Sequence, residues 1–295
     1  MKYNFIAVTH DILGDVFWEV FRKGLNDAAE RYNVNVEHLR PGKFSPEKMV
    51  ELIEEAKGKK PDGILATIPD INVVERPLQE ILDANIPMFA INAGDPRPDE
   101  KKLRYLSYIG PDDILGGKVA ARRLLKEKTC QRVICIDHYE LANYCHNARW
   151  QGILSVLGKA NVSAERLRVP GGNRQRACEV LKEHLEKLPK IDGLISLGPP
   201  GAEISDAVIM ENGYENKIAH MTFDFSMSQL KAIEEGRIIA TIDSQQYLQG
   251  YWGVEFLWLY VEKGFVPAGD VLTGPVLVER SSVARILEGV KQGIH

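Results

Sequence analysis

Polar residues stand where the apolar runs of this sequence stop: His10, Asn92, His138, Asp224, Ser244 and Gln245. Phe17, Trp18 and Arg149 stand on the helical patterns that adjoin them, and Asn143 and Gly198 complete the candidate ligand-binding set. The set supplies acceptors, donors and flat faces, which is what a polyhydroxylated molecule needs. Carboxylates accept from hydroxyls, Arg and Asn donate to them, and charge-assisted bonds are the stronger ones. An aromatic ring covers the apolar C–H face of such a ligand. Acid–base chemistry uses the same residue types, but no paired carboxylates and no nucleophile–base couple are legible, so no catalytic residue is assigned. His10 and His138 read equally well as satisfied structural histidines, and Arg149 as the partner of an acidic neighbour. Asp224, directly after Thr222-Phe223, is the strongest single candidate.

The elements that must position these residues alternate between strand and helix, the pattern of a parallel sheet built from βαβ units. Phe5 to Val8 reads as a buried strand, followed by a helix from about Val16 to Arg31. In an open α/β sheet, ligands sit where strands end and helices begin. Phe17 and Trp18 point about 100° apart on that helix, so both cannot face one core equally, and one is left to face a ligand. Val34 to His38 is extended, and Pro46 to Lys57 is a helix with Ser45 as its N-cap. Pro61-Asp62-Gly63 turns into the strand Ile64 to Ile68, a helix runs from about Val73 to Ala84, and the strand Pro87 to Ile91 ends in Asn92. Tyr105 to Ile109 is extended, and Asp112 or Asp113 starts a helix to about Glu127.

The pattern then begins again. Residues 5–10 (Phe-Ile-Ala-Val-Thr-His) match 133–138 (Val-Ile-Cys-Ile-Asp-His), and at the same offset Gly24 matches Gly152. Pro61 to Ala66 matches Ile191 to Ser196, and Ile86 to Asn92 matches Ile218 to Asp224. Matches in the same order are the signature of an internal repeat, here two similar α/β lobes in which His10 and His138, and Asn92 and Asp224, end equivalent strands. The tail departs from the repeat: a strand from Ile238 to Ile242, a helix from about Leu248 to Glu262, an extended stretch from Val271 to Val278 and a short closing helix. The expected lobes are 1–109 plus 245–266 and 110–244 plus 267–295.

Composition narrows the class. The 295 residues are 44% hydrophobic and 26% charged, ordinary for a globular chain with room for two domains, and the net charge of -4 gives nucleic acid no basic face. The four cysteines fit no zinc spacing and include no CxxC, so they read as core thiols. The apolar stretch Tyr251 to Val266 carries Glu255 and Glu262, against a transmembrane span. The first strand starts by about residue 4, so no signal peptide is expected in this sequence. The residues leave two expectations open: a cytoplasmic protein, or a mature form in which a start Met replaces the leader. Gly110 to Val119 has the wrong spacing for a P-loop, no GxGxxG follows the first strand, and GxSxG and HExxH are absent. No cofactor or metal is expected. Gly198-Pro199-Pro200-Gly201 reads as a tight loop lining the ligand cleft.

Together these residues resemble sugar-binding proteins of ABC importers with the type I periplasmic binding fold, the ribose-binding-protein group. The resemblance is carried by Val8 to Trp18, Pro61-Asp62-Gly63, Ile86 to Asn92, Gly116-Gly117, Arg149 to Gly152, Thr222-Phe223-Asp224, Thr241 to Tyr251 and Leu272 to Val278. It implies two Rossmann-like lobes joined by three crossovers, a sugar or polyol ligand in the cleft between them, an ABC transporter permease as partner, and a monomer. It also implies a ring stack at Phe17-Trp18, a ligand-binding Arg at Arg149 and an Asp at Asp224. The chain departs from the family at Asn92-Ala93, where Asp-Arg is usual, at Gly198-Pro199, where Asn-Asp is usual, and at Ser244, where Gln is usual. These changes remove ribose-like contacts and leave the sugar class open. The alternatives are a sensor, either a lac-repressor-type effector domain or an extracytoplasmic partner of a histidine kinase, and a carbohydrate-active enzyme. A lac-type repressor carries a helix-turn-helix, and none precedes Phe5 in this sequence.

This reading predicts that ligand closes the lobes, because Phe17 and Trp18 fall in the first lobe and Arg149 and Asp224 in the second. A ligand stabilises a closed state through its differential contacts. Small-angle scattering is expected to give a smaller radius of gyration in the presence of saturating ligand; an unchanged scattering curve contradicts the closure.

Overall fold

In the strand Asn4–Val8 (β1), Phe5 to Val8 are apolar and buried at consecutive positions because both faces of the sheet are covered by helices. The computed structural model describes residues 2–11, 16–42, 45–138, 144–188, 190–215 and 217–295. From β1 the chain runs through α1 (Val16–Tyr32), β2 (Asn35–Leu39), α2 (Pro46–Gly58), β3 (Gly63–Ala66), α3 (Ile71–Asp83), β4 (Met88–Ile91) and β5 (Tyr108–Pro111). It continues through α4 (Asp113–Glu127), β6 (Arg132–Asp137), α5 (Tyr144–Leu157), β7 (Ser163–Arg168), α6 (Arg174–Lys187), β8 (Gly193–Ser196) and α7 (Pro199–Glu211). The last elements are β9 (Ala219–Phe223), α8 (Met227–Glu234), β10 (Ala240–Asp243), α9 (Gln246–Lys263), β11 (Val271–Gly274), β12 (Val276–Glu279) and α10 (Arg280–Lys291). No helix among the described residues is long and apolar enough to cross a membrane.

These elements form two units. The first is Met1–Pro111 with Gln245–Thr273 and Gly289–His295, and the second is Asp112–Ser244 with Gly274–Glu288. The first holds a six-stranded sheet in the order β11-β5-β4-β3-β1-β2, the second one in the order β12-β10-β9-β8-β6-β7. β1 to β5 pair in parallel, as do β6 to β10, while β12 joins β10 antiparallel. The repeat extends to register: Phe5 lies opposite Gly63 as Val133 lies opposite Gly193. In the first unit Phe5 and Ala7 pack with Phe21, Leu25, Val254 and Leu257, while Ile6 and Val8 pack with Met49, Ile53, Leu78 and Ile81. The second unit repeats this division, with Val133 and Cys135 against Leu124 and Ile153, and Ile134 and Ile136 against Leu181 and Val208. Each fully buried Val, Leu, Ile, Phe or Met among them stabilises its unit by roughly 1.5–3 kcal/mol.

Local signals set the element ends. Ser45 Oγ accepts from the Lys48 amide at 3.1 Å, with Pro46 at the first helical position. Asp112 caps α4 by accepting from the Leu115 amide at 2.8 Å, which settles which of the two aspartates is the cap. The stretch Val271 to Val278, extended throughout in the sequence reading, is two strands in two different sheets. The third crossing therefore falls at Thr273/Gly274 rather than near Pro267, because β11 borders β5 in the first sheet.

Close helix pairs carry the repeated glycines. A Cβ on Gly24 of α1 would collide with the Tyr247 carbonyl of α9, and one on Gly250 of α9 with the Phe21 carbonyl of α1. In the second unit Gly152 of α5 meets the Ile114 carbonyl of α4, and Gly117 of α4 meets the Arg149 carbonyl of α5. Overpacking of this kind costs about 1–3 kcal/mol. Gly24→Ala is therefore expected to lower the calorimetric melting temperature by roughly 3–10 °C. Gly172→Ala, with nothing within 4 Å of its new Cβ, is the control expected to leave it in place. An undisturbed melt for Gly24→Ala contradicts the packing.

Candidate functional site

The carboxyl ends of the parallel strands carry the polar residues in both units. In the first unit His10 follows β1, and its ring meets Trp18 edge-on with centroids 5.1 Å apart. Trp18 is only 5% exposed and packs in the core against Phe21, whereas Phe17 is half-buried, its ring centroid 5.0 Å from that of Trp18. Trp18 is thus the ring that faces the core, and Phe17 the one left partly uncovered. Burial pushes the His10 imidazole down to about 4, so it is neutral at pH 7. Asn92 follows β4 with φ 60°, a left-handed conformation that Asn tolerates. Its side-chain nitrogen donates to Gln249 Oε1 at 3.1 Å, and its carbonyl accepts from the Tyr108 hydroxyl at 2.6 Å. Gln245, with φ 49°, precedes α9 and is half-buried.

The second unit has Asp224 at the position equivalent to Asn92, with φ 51°. Its backbone makes the corresponding bonds: its amide donates to the Ile242 carbonyl as that of Asn92 does to Ile109, and its carbonyl accepts from Thr241 Oγ1 at 2.6 Å. Three candidate residues, Arg149, Asp224 and Ser244, come together here. Arg149 Nε donates to Asp113 Oδ1 at 2.7 Å, and Nη1 donates to the Leu197 carbonyl at 2.7 Å and lies 3.2 Å from Asp224 Oδ2. Nη2 reaches Ser244 Oγ at 3.5 Å, and the guanidinium carbon stands 4.5 Å from the centre of the Phe223 ring. Burial works against the Arg149 charge, but Asp113 and Asp224 overcome it and raise its pKa further. Burial also pushes the Asp113 carboxyl up, with Arg149 opposing. Asp224 Oδ1 is buried and has no hydrogen-bond partner among the described residues.

His138 follows β6 and meets His146 edge-on at 4.7 Å. His146 stands 128 residues after Trp18, so the second unit repeats the His–ring pair of the first with a second imidazole. Asp137 fixes that imidazole through Nδ1 at 2.7 Å and is itself gripped by Arg166 through Nε at 2.9 Å and Nη2 at 2.6 Å. Gly198 lies against the His138 ring: a Cβ there would stand 2.7 Å from His138 Cε1, and one on Gly201 would stand 3.3 Å from Nδ1. Gly198 and the first turn of α7, which begins at Pro199, are therefore the seat of His138; the Gly-Pro-Pro-Gly stretch is a helix start and not the tight loop the sequence suggests. Asn143 lies outside the described residues. Sequence reasoning did not single out Asp113 or His146 for the site. Asp113 carries only a helix-start signal, whereas the repeat offset that maps Trp18 onto 146 was enough to mark His146.

Comparison with known proteins supplies the family. The model of the periplasmic binding protein domain family matches residues 6–264. The chain is similar to the xylose/arabinose-binding protein XylF of Sulfolobus acidocaldarius, 23% identical over 95% of this chain and 70% of that protein. It is also similar to the crystal structure of a carbohydrate transporter from Acidothermus cellulolyticus in complex with myo-inositol, at 29% identity, TM-score 0.88 and all of both chains. An ABC transporter solute-binding protein from Agrobacterium vitis, bound with alpha-D-tagatopyranose, shares the fold at 22% identity and TM-score 0.85, over 100% of this chain and 99% of that one.

The buried imidazoles make stability depend on pH. Burial lowers His146, beside Asp137, and His220, bonded to Ser196, to about 4 each. In the unfolded chain both titrate near 6.5. Between those values the unfolded state binds more protons, so stability is fully present above about pH 6.5 and falls as the pH drops toward 4, by up to about 3 kcal/mol per group. The melting temperature is expected to fall between about pH 6.5 and 4.5, and to fall less steeply in His146→Gln. An identical slope in the variant contradicts a neutral buried His146.

Proposed function

We propose that this chain, which belongs to the periplasmic binding protein domain family, is a solute-binding protein that holds a neutral sugar or polyol reversibly and delivers it to an ABC importer. The observation that carries this reading is Asp224. One of its oxygens is held by Arg149, and the other is buried at a strand end without a protein partner among the described residues. An unpaired buried acceptor costs about 1–3 kcal/mol, and a ligand hydroxyl relieves that cost by donating to it. The half-buried Phe17 ring supplies a face for sugar C–H groups, and His10, Asn92, His138, Ser244 and Gln245 supply further polar contacts, with Gly198 seating His138. XylF is named for xylose and arabinose, and the two solved structures hold myo-inositol and tagatopyranose. These support the ligand class. The protein works as an extracytoplasmic monomer with a permease as partner, and it releases its ligand unchanged.

A thermal-shift screen of neutral sugars and polyols is expected to yield at least one ligand that raises the melting temperature, since binding to the folded state alone stabilises it. For that ligand, calorimetric titration of Asp224→Asn is expected to show at least about a tenfold loss of affinity, the equivalent of one charged hydrogen bond. Asn keeps the left-handed backbone, so the loss reads the charge rather than a distorted strand end. Full affinity in the folded variant contradicts the assigned site, and chemically altered ligand after long incubation contradicts simple binding.

A further inference from the structure

Arg149 is an unusual centre for a ligand site, because its hydrogen bonds run to the protein. Nε is taken by Asp113 and Nη1 by the Leu197 carbonyl and Asp224, and the Phe223 ring lies 4.5 Å from the guanidinium carbon. Only Nη2 is lightly committed, to Ser244 Oγ at 3.5 Å. A ligand carboxylate or phosphate needs two neighbouring N–H groups to form the forked pair that makes arginine a strong anion receptor. Here no two neighbouring N–H groups remain uncommitted.

Charge points the same way. Arg149 is buried with two carboxylates, those of Asp113 and Asp224, both within 3.2 Å of it. Asp224 by itself balances the guanidinium, and Asp113 brings a second acidic group to the same centre. A third anion entering this buried cluster meets like charge without a counter-ion, and an unpaired buried charge is strongly disfavoured. A hydroxyl does not face that barrier, because it donates to Asp224 Oδ1 and accepts from Nη2.

We infer that Asp113 is a specificity-determining residue: it occupies the edge of Arg149 that an anionic ligand would require, and so restricts the site to uncharged sugars and polyols. Asp113 is the first residue of α4, and its neighbour Asp112 already caps that helix. Its buried carboxylate is therefore not needed as the cap. The inference rests on the solute-binding reading above and adds to it the residue that rejects acids.

The test uses the intact protein, the neutral ligand found by screening, and the aldonic or uronic acid of the same carbon skeleton. In the wild type the acid is expected to bind at least about a hundredfold more weakly than the neutral ligand. In Asp113→Asn, and in Asp113→Ser, which also vacates the Nε position, that ratio is expected to narrow by at least about tenfold. A merely structural role lowers both affinities together and leaves the ratio unchanged. Equal affinity for acid and neutral ligand in the wild type overturns the inference with no variant needed, and so does an unchanged ratio in a folded variant. A screen that finds no neutral ligand at all is a different failure: it removes the solute-binding reading and this inference with it.

Discussion

One buried guanidinium organises the second unit. Arg149 reaches from α5 to the start of α4 through Asp113, to the end of β8 through Leu197 and to the end of β9 through Asp224, over the Phe223 ring. Burying such a charge gains little net stability against an apolar replacement, yet removing one partner costs about 3–5 kcal/mol because the others are left unpaired. The close packing of α4 on α5 follows from the same constraint. Gly117 lies against the carbonyl of Arg149 itself, so the glycine that lets the helices approach also sets where the guanidinium begins. The arrangement also fixes Asp224, whose carboxylate lies 3.2 Å from Arg149 and whose carbonyl accepts from Thr241 Oγ1.

The first unit uses the same framework differently. Its Gly24 and Gly250 contacts between α1 and α9 repeat those of α5 and α4, and Asn92 repeats the left-handed strand end of Asp224. The position equivalent to Arg149, however, is Phe21, which is fully buried and apolar. The strand-end histidines meet Trp18 in one unit and His146 in the other. The strand ends of one unit therefore carry mainly rings and amides, those of the other a charged cluster and imidazoles.

Much of this was legible in the residues, and the exceptions have physical causes. Strands covered on both faces read as continuous apolar runs, so β1, β3, β4, β6, β8 and β9 are visible, and their repetition exposes the two units. β7 is an edge strand of Ser-Ala-Glu-Arg-Leu-Arg with no fully buried position, and nothing in its hydropathy distinguishes it from a loop. Val271 to Val278 looks like one strand because hydropathy reports burial, not which sheet a strand joins. Asp224 was legible from its place after an apolar run. Asp113 was not, because an aspartate at a helix start is the commonest of caps, and only the fold shows that Asp112 takes that task. Which of Phe17 and Trp18 faces the core likewise depended on the position of Phe21, a contact that spacing alone does not supply.

On the proposed reading, Arg149 presents Asp224 to the ligand while remaining bound to Asp113. A crystal structure of the protein with a neutral sugar or polyol tests it most directly. The expected result is a ligand hydroxyl within about 3 Å of Asp224 Oδ1, with Arg149 Nε still donating to Asp113. A ligand bound elsewhere, or an Arg149 that has left Asp113 to grasp the ligand with a forked pair of bonds, would contradict it.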